Sequence, residues 1–151
     1  MQVKTEIEML KQTTIFRAVE ESYLQLLAFS SIEKKYEKGE AIFDINSATD
    51  YGILICDGNV KAIDNRNANQ IIEETLSRGS FIHHIGMIAK IKPRLEYYAI
   101  DTVTVKIYSH ELFQRISHEF PNYTKQIYNN VSYGLDISLN DLNVIKPLFN
   151  D

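Results

Sequence analysis

The chain has 151 residues, 44% of them hydrophobic and 24% charged, the balance of a soluble globular protein with one sizeable core. A net charge of −4 and a pI of about 5.6 exclude a general affinity for nucleic-acid phosphates. No apolar run approaches the ~18 residues that span a membrane, and a single cysteine, Cys56, excludes a disulfide within the chain and fits a reducing cytoplasm.

In chain order, Val3, Ile7 and Leu10 recur at helical spacing, which predicts a short amphipathic helix with a charged start rather than a signal peptide. Residues 18 to 29 predict a second, with Val19, Tyr23, Leu26 and Leu27 on one face. After Ser31 the pattern changes to short strands divided by turn residues. IEKKYEKG ends at Gly39, and EAIFDI follows as a strand. YGILIC leads into the tight-turn pair Asp57-Gly58. NVKAID, the polar loop NRNANQ and QIIEETL make a hairpin, followed by Arg78-Gly79. LEYYAID and VTVKIYS complete about eight strands at the 8–12-residue spacing of an all-β sandwich or barrel. Helical periodicity returns at His110 with Leu112, Ile116 and Phe120. Pro121 interrupts it, and a longer helix is predicted from about Asn122 to Lys146, before Pro147.

Several residues in this order carry a resemblance. Leu10 and Ile15-Phe16 precede the first strand. Lys38-Gly39-Glu40 with Ile42-Phe43 reads as a KGExIF turn, and Asp57-Gly58-Asn59-Val60 stands where an SGxV turn would. Gly79-x-Phe81 reads as GxF, and Pro93-Arg94 as PR. Together they make the chain resemble the cyclic nucleotide-binding domain family over roughly residues 8 to 146. The resemblance implies an N-terminal helical segment, an eight-stranded β-roll, a hinge helix and a C-terminal helix. It also implies a phosphate-binding cassette between Phe81 and Arg94, in which amides of a short helix and an arginine fork hold a phosphodiester.

In the family that cassette reads roughly F-G-E-L-A, then PR-x-A-[TS], with the glutamate on the ribose 2′-hydroxyl. Here it reads Phe81-Ile82-His83-His84-Ile85-Gly86-Met87. Aligned on Arg94 without gaps, His83 takes the glycine position and His84 the glutamate position. Aligned on Gly86, Met87 takes the glutamate position. Neither register supplies the carboxylate. Leu95 and Glu96 stand after Arg94 in place of small residues, and Glu96 opposes an anion electrostatically. The cassette residues implied as ligand-binding are therefore His83, His84, Ile85, Gly86, Arg94 and Leu95, with Lys90 and Lys92 keeping the loop positive.

Other constellations are weaker. Adjacent histidines such as His83-His84 rarely aim both rings at one ion, and His110 and His118, eight apart, lack a third ligand. No nucleophile motif, P-loop or HExxH stretch occurs. Tyr51, Tyr97 and Tyr98 lie in strands, where tyrosines fill cores, and one of them could instead stack on a purine. Tyr128, Val131, Leu135, Leu142 and Ile145 form a stripe near a 3.5-residue period. It either packs on its own domain or pairs with a second copy, with Asn129, Asn130, Asp136 and Asn140 toward rim or solvent.

The fold class expected is mainly β with flanking helices: an eight-stranded β-roll, a double-stranded β-helix of jelly-roll type. It forms one domain over residues 1–151, with helices at 3–29, the roll at 32–108 and C-terminal helices at 110–146. The function expected is a non-enzymatic regulatory or ligand-sensing module, cytoplasmic, without catalytic residues, metal or cofactor. Its degenerate pocket binds a small anionic nucleotide weakly or serves protein interaction. Its partner is a second copy or another protein at the C-terminal helix, not nucleic acid or membrane. The alternatives are a genuine cAMP or cGMP sensor using Arg94 and cassette amides, and a cupin-like metal enzyme. The latter is disfavoured because no two-histidine, one-carboxylate cluster is visible.

Overall fold

The computed structural model describes residues 1–134. Helices α1 (Val3–Lys11) and α2 (Glu21–Ser30) come first. Strands β1 (Ile32–Tyr36), β2 (Tyr51–Asp57), β3 (Val60–Asp64), β4 (Ile72–Leu76), β5 (Phe81–Ile82), β6 (Glu96–Ala99) and β7 (Val103–Ser109) follow, with a 3-10 helix, His84–Met87, after β5. Helices α3 (His110–Glu119) and α4 (Pro121–Gly134) close the order. No helix among the described residues is long and apolar enough to cross a membrane.

The strands form two antiparallel sheets, ordered β1-β7-β2-β5 and β4-β3-β6. Seven strands stand among the described residues where the sequence predicts eight. The missing one is EAIFDI, which contributes only a bridge from Ala41 to Tyr98. Asp44 explains the loss: its carboxylate accepts from the Asn46 amide (3.0 Å) and the Ser47 hydroxyl (2.8 Å). This local turn competes with a ladder and takes the chain off the sheet. The second helix also begins later than predicted, because Ala18 sits at φ 64 and the chain bends there before Glu21.

Strand alternation divides the apolar side chains between two cores. Ile53 and Ile55 join Tyr36, Phe43, Val60, Ala99, Val103 and Val105 between the sheets. Leu54, Cys56 and Tyr108 face the other way, onto a layer that includes Leu10, Phe16, Tyr23, Leu27, Phe113, Ile127 and Val131 from the helices. The continuous apolar run of β2 thus reflects burial on both faces.

Polar contacts lock the helical layer. The Tyr108 hydroxyl and the Ser31 hydroxyl (2.8 Å) both donate to Glu6, whose side chain is buried. Asn130 donates to the carbonyls of Ile15 (2.9 Å) and Arg17 (2.8 Å). Asn130 is therefore buried and not solvent-facing as its place on the helix suggests. The carbonyls left open by the bend before α2 need a donor, and Asn130 supplies it.

Candidate functional site

The loop from Phe81 to Arg94 leaves β2's partner strand and returns at β6. Pairing of Ile53 with Ile82 and Leu54 with Phe81 fixes its start. His83 then takes the left-handed conformation (φ 54, ψ 43) and turns the chain into the 3-10 helix. That helix lies directly on β2 because two glycines face each other there. A Cβ on Gly86 would stand 2.5 Å from the Tyr51 carbonyl and 2.7 Å from the His83 ring; one on Gly52 would stand 3.2 Å from the His84 Cα. Gly86 is thus required by contact with the chain itself.

His83 folds back over this junction. Its Nε2 lies 3.2 Å from the Ile91 carbonyl and 3.4 Å from that of Thr49. Facing two acceptors, that nitrogen carries the proton. The imidazole so braces the bridge between Thr49 and Ile91. Burial, and secondly the charge of His83, push His84 down to about 4, so its ring is neutral near pH 7. Ile85, Met87, Ile88 and Ala89 are buried in the helical-side core. The Met87 carbonyl accepts from His110 Nδ1 at 2.7 Å. His110 opens α3, whose N-terminus is capped by the Ser109 hydroxyl (3.1 Å from the Leu112 amide). The loop is thereby tied to the helix that follows the roll.

Arg94 and Leu95 lie partly buried just before β6. Pairing of Ile63 with Glu96 brings Asp64 abreast of Leu95. Asp64 accepts two bonds from Arg66, 2.9 Å from Nε and 2.7 Å from Nη2. These hold its carboxyl down at about 2, and the charge of Arg94 adds to the effect. Glu96 faces the opposite side of the sheet and accepts from Tyr98 (3.2 Å) and Asn65 (2.8 Å). The charge of Arg94 thus reaches Asp64 across the β3–β6 pairing. Asp64 and Arg66 pair locally, two residues apart, as the chain leaves β3.

Aromatic rings fill the space between the sheets at this end. Phe43 is centred among Tyr51 (5.6 Å), His83 (5.4 Å) and Tyr97 (5.7 Å). Burial, and then the charge of Glu74, raise the Tyr97 hydroxyl to about 12, with Arg66 acting oppositely. Tyr98 points outward, as its pairing with Lys61 requires. The structure thus brings His83, His84, Ile85 and Gly86 together on β2, with Phe43 and Tyr97 as neighbours. Of the C-terminal stripe, Val131 is buried in the chain's own core and Tyr128 packs against it. Leu135, Leu142 and Ile145 lie outside the described residues, as do Asp136 and Asn140. No group of three or more His, Cys, Asp or Glu side chains is placed to hold a metal ion among the described residues.

Two facing antiparallel sheets, a short helix in the loop before β6 and helices on both flanks define the cyclic nucleotide-binding-like fold. Solved structures similar to this chain bear that out. A cyclic nucleotide-binding-like protein from Brucella abortus has a TM-score of 0.66 at 19% identity, covering 76% of this chain and 98% of that one. The N-terminal domain of a transcriptional regulator from Streptomyces coelicolor has a TM-score of 0.73 at 15% identity, covering 82% and 87%. The regulatory domain of Toxoplasma gondii PKA, co-crystallised with cAMP, has a TM-score of 0.64 at 14% identity, covering 85% of this chain and 50% of that one. No protein-family model matches the sequence, and no curated protein does.

Proposed function

We propose that this chain is a non-enzymatic regulatory module in which the nucleotide end of the roll is filled by the protein's own side chains. Cyclic nucleotides then bind weakly or not at all. The observation that carries this is the cluster of Phe43 with Tyr51, Tyr97 and His83, packed where the loop meets the space between the sheets. Two features support it. The loop has no carboxylate at His83, His84 or Met87, and Asp64 already lies within the field of Arg94. One charged hydrogen bond to a ribose is worth about 1.5–3 kcal/mol, so its loss alone weakens binding roughly tenfold or more.

Calorimetric titration with cAMP and cGMP tests the reading. The expected result is no heat of binding at micromolar ligand; submicromolar affinity for either nucleotide overturns it. A second reading, a working cAMP or cGMP sensor, draws on the retained Arg94 and on the fold shared with a domain co-crystallised with cAMP. It requires that Arg94→Ala abolish most of any measured nucleotide affinity.

A further inference from the structure

The outer face of the β4-β3-β6 sheet carries a concave site that the roll does not use. Alternation turns Val60, Ala62, Tyr97 and Ala99 inward and leaves Lys61, Ile63, Glu96 and Tyr98 outside. The turn at Lys38-Gly39 borders this face along the free edge of β6. It is held by the Gly39 amide donating to Ala99 (2.8 Å) and the Ala99 amide donating to Glu40 (2.9 Å). The resulting groove has a volume of about 440 Å³ and is lined by Lys38, Lys61, Ile63, Tyr98 and Ile100 beside backbone. That size falls within the ~300–1,000 Å³ of small-molecule sites, and so does the chemistry: mostly carbon, with few polar groups.

Its charges are sorted. The side chains of Lys38 and Lys61 have no ion pair or hydrogen bond among the described residues. The carboxylates around the groove are differently placed. Glu96 is engaged by Tyr98 and Asn65, Glu40 accepts from the Glu37 amide (2.8 Å), and Glu73 lies abreast of Ile63 on β4. Lys38 and Lys61 stand toward the Ala99 end of the groove, where the neighbouring Glu37 carboxylate accepts from Thr102 (3.4 Å); the floor is an aromatic ring beside isoleucines, and Glu73 and Glu96 stand at the Ile63 end.

We propose that this groove binds a small organic anion with a flat apolar body. Lys38 and Lys61 hold its anionic head, and Tyr98, Ile63 and Ile100 support its body. A chain without any affinity at the roll would still carry this site, so it stands apart from the function proposed above.

The probe is 8-anilinonaphthalene-1-sulfonate, which joins a sulfonate to an aromatic body. Titrated into the full chain, it is expected to give saturable one-to-one fluorescence enhancement. The affinity should fall about tenfold in Lys38→Gln/Lys61→Gln, since exposed ion pairs each contribute modestly and two are lost. It should fall further at high salt and stay unchanged in Arg94→Ala. Dye-induced amide shifts at Gly39 and Ala99 in NMR spectra of the wild type map the site without any variant. Absence of saturable binding overturns the proposal. So does unchanged affinity in the lysine variant with no shift at Gly39, which would put the dye on exposed Phe29 and Ile32. Loss of binding in Arg94→Ala overturns it too, by placing the dye in the roll.

Discussion

His84 should make the protein acid-sensitive in a narrow window. Its imidazole is pushed down to about 4 by burial and by the charge of His83. In the unfolded chain it takes up a proton at its ordinary value of about 6.5. Between those limits the unfolded state binds more protons than the folded state, so stability rises with pH there and is lost as pH falls from 6.5 towards 4. Integrated at 1.36 kcal/mol per pH unit, the loss is at most about 3 kcal/mol. For a domain with a stability of about 5–15 kcal/mol this is a large share.

The lowered carboxyls of Asp44, Asp64 and Asp101 do not confuse the measurement. A depressed carboxyl contributes stability above its unfolded value near 4 and loses it only as pH falls through its folded value. Those losses therefore lie below the histidine window. Urea unfolding at pH 7, 5.5 and 4.5, on wild type and His84→Gln, isolates the effect. The wild type should lose about 2.4 kcal/mol across that range, and the variant about 1 kcal/mol or less. Parallel losses in both proteins would show that His84 is not the group responsible.

Two other substitutions probe the frame around the site. Tyr108→Phe leaves the buried Glu6 carboxylate with Ser31 as its one remaining donor among the described residues and should cost about 1.5–3 kcal/mol in urea unfolding; a cost under about 0.5 kcal/mol would mean the hydroxyl pair does not hold α1. Gly58→Ala should destabilise by about 2–4 kcal/mol, because φ +89 disfavours a side chain and the new Cβ would stand 2.3 Å from the Thr102 carbonyl. Gly39→Ala shares the left-handed backbone but meets nothing within 4 Å, so its cost should be only about 1–2 kcal/mol in the same assay. Equal costs at the two glycines would refute the steric part of the argument.

What could be read from the sequence was local. Asp57-Gly58 announces a turn because only glycine takes that backbone cheaply, and Phe120-Pro121 ends one helix and starts the next because proline suits a first helical position. Cys56 reads as a core residue, and burial duly raises its thiol to about 11. The misreadings have two sources, contacts distant in sequence and local turns that override a pattern. Asn130 looks like a solvent residue until the bend before α2, 113 residues away, presents its carbonyls. EAIFDI has the pattern of a strand, but Asp44 satisfies the backbone locally and Phe43 goes to the centre of an aromatic cluster. Asp64 and Arg94 are thirty positions apart, and the charge of one reaches the other through the register of β3 and β6.

The same distinction governs how the loop from Phe81 to Arg94 should respond to mutation. In a loop organised by a ligand, the amides and side chains that contact it have few partners of their own. Here the side chains at the aligned positions already have partners within the chain. His83 spans the carbonyls of Thr49 and Ile91, Gly86 lies against the Tyr51 carbonyl, and Met87 is bonded to His110 at the start of α3. Gly86 and Met87 join the loop to β2 and α3, and His83 ties the two ends of the loop to Thr49 just before β2. Replacing any of them removes support from the loop they share. Their effects should therefore couple in double-mutant cycles, as neighbours sharing a network do, while Arg94, which stands just before β6 of the other sheet, should add independently.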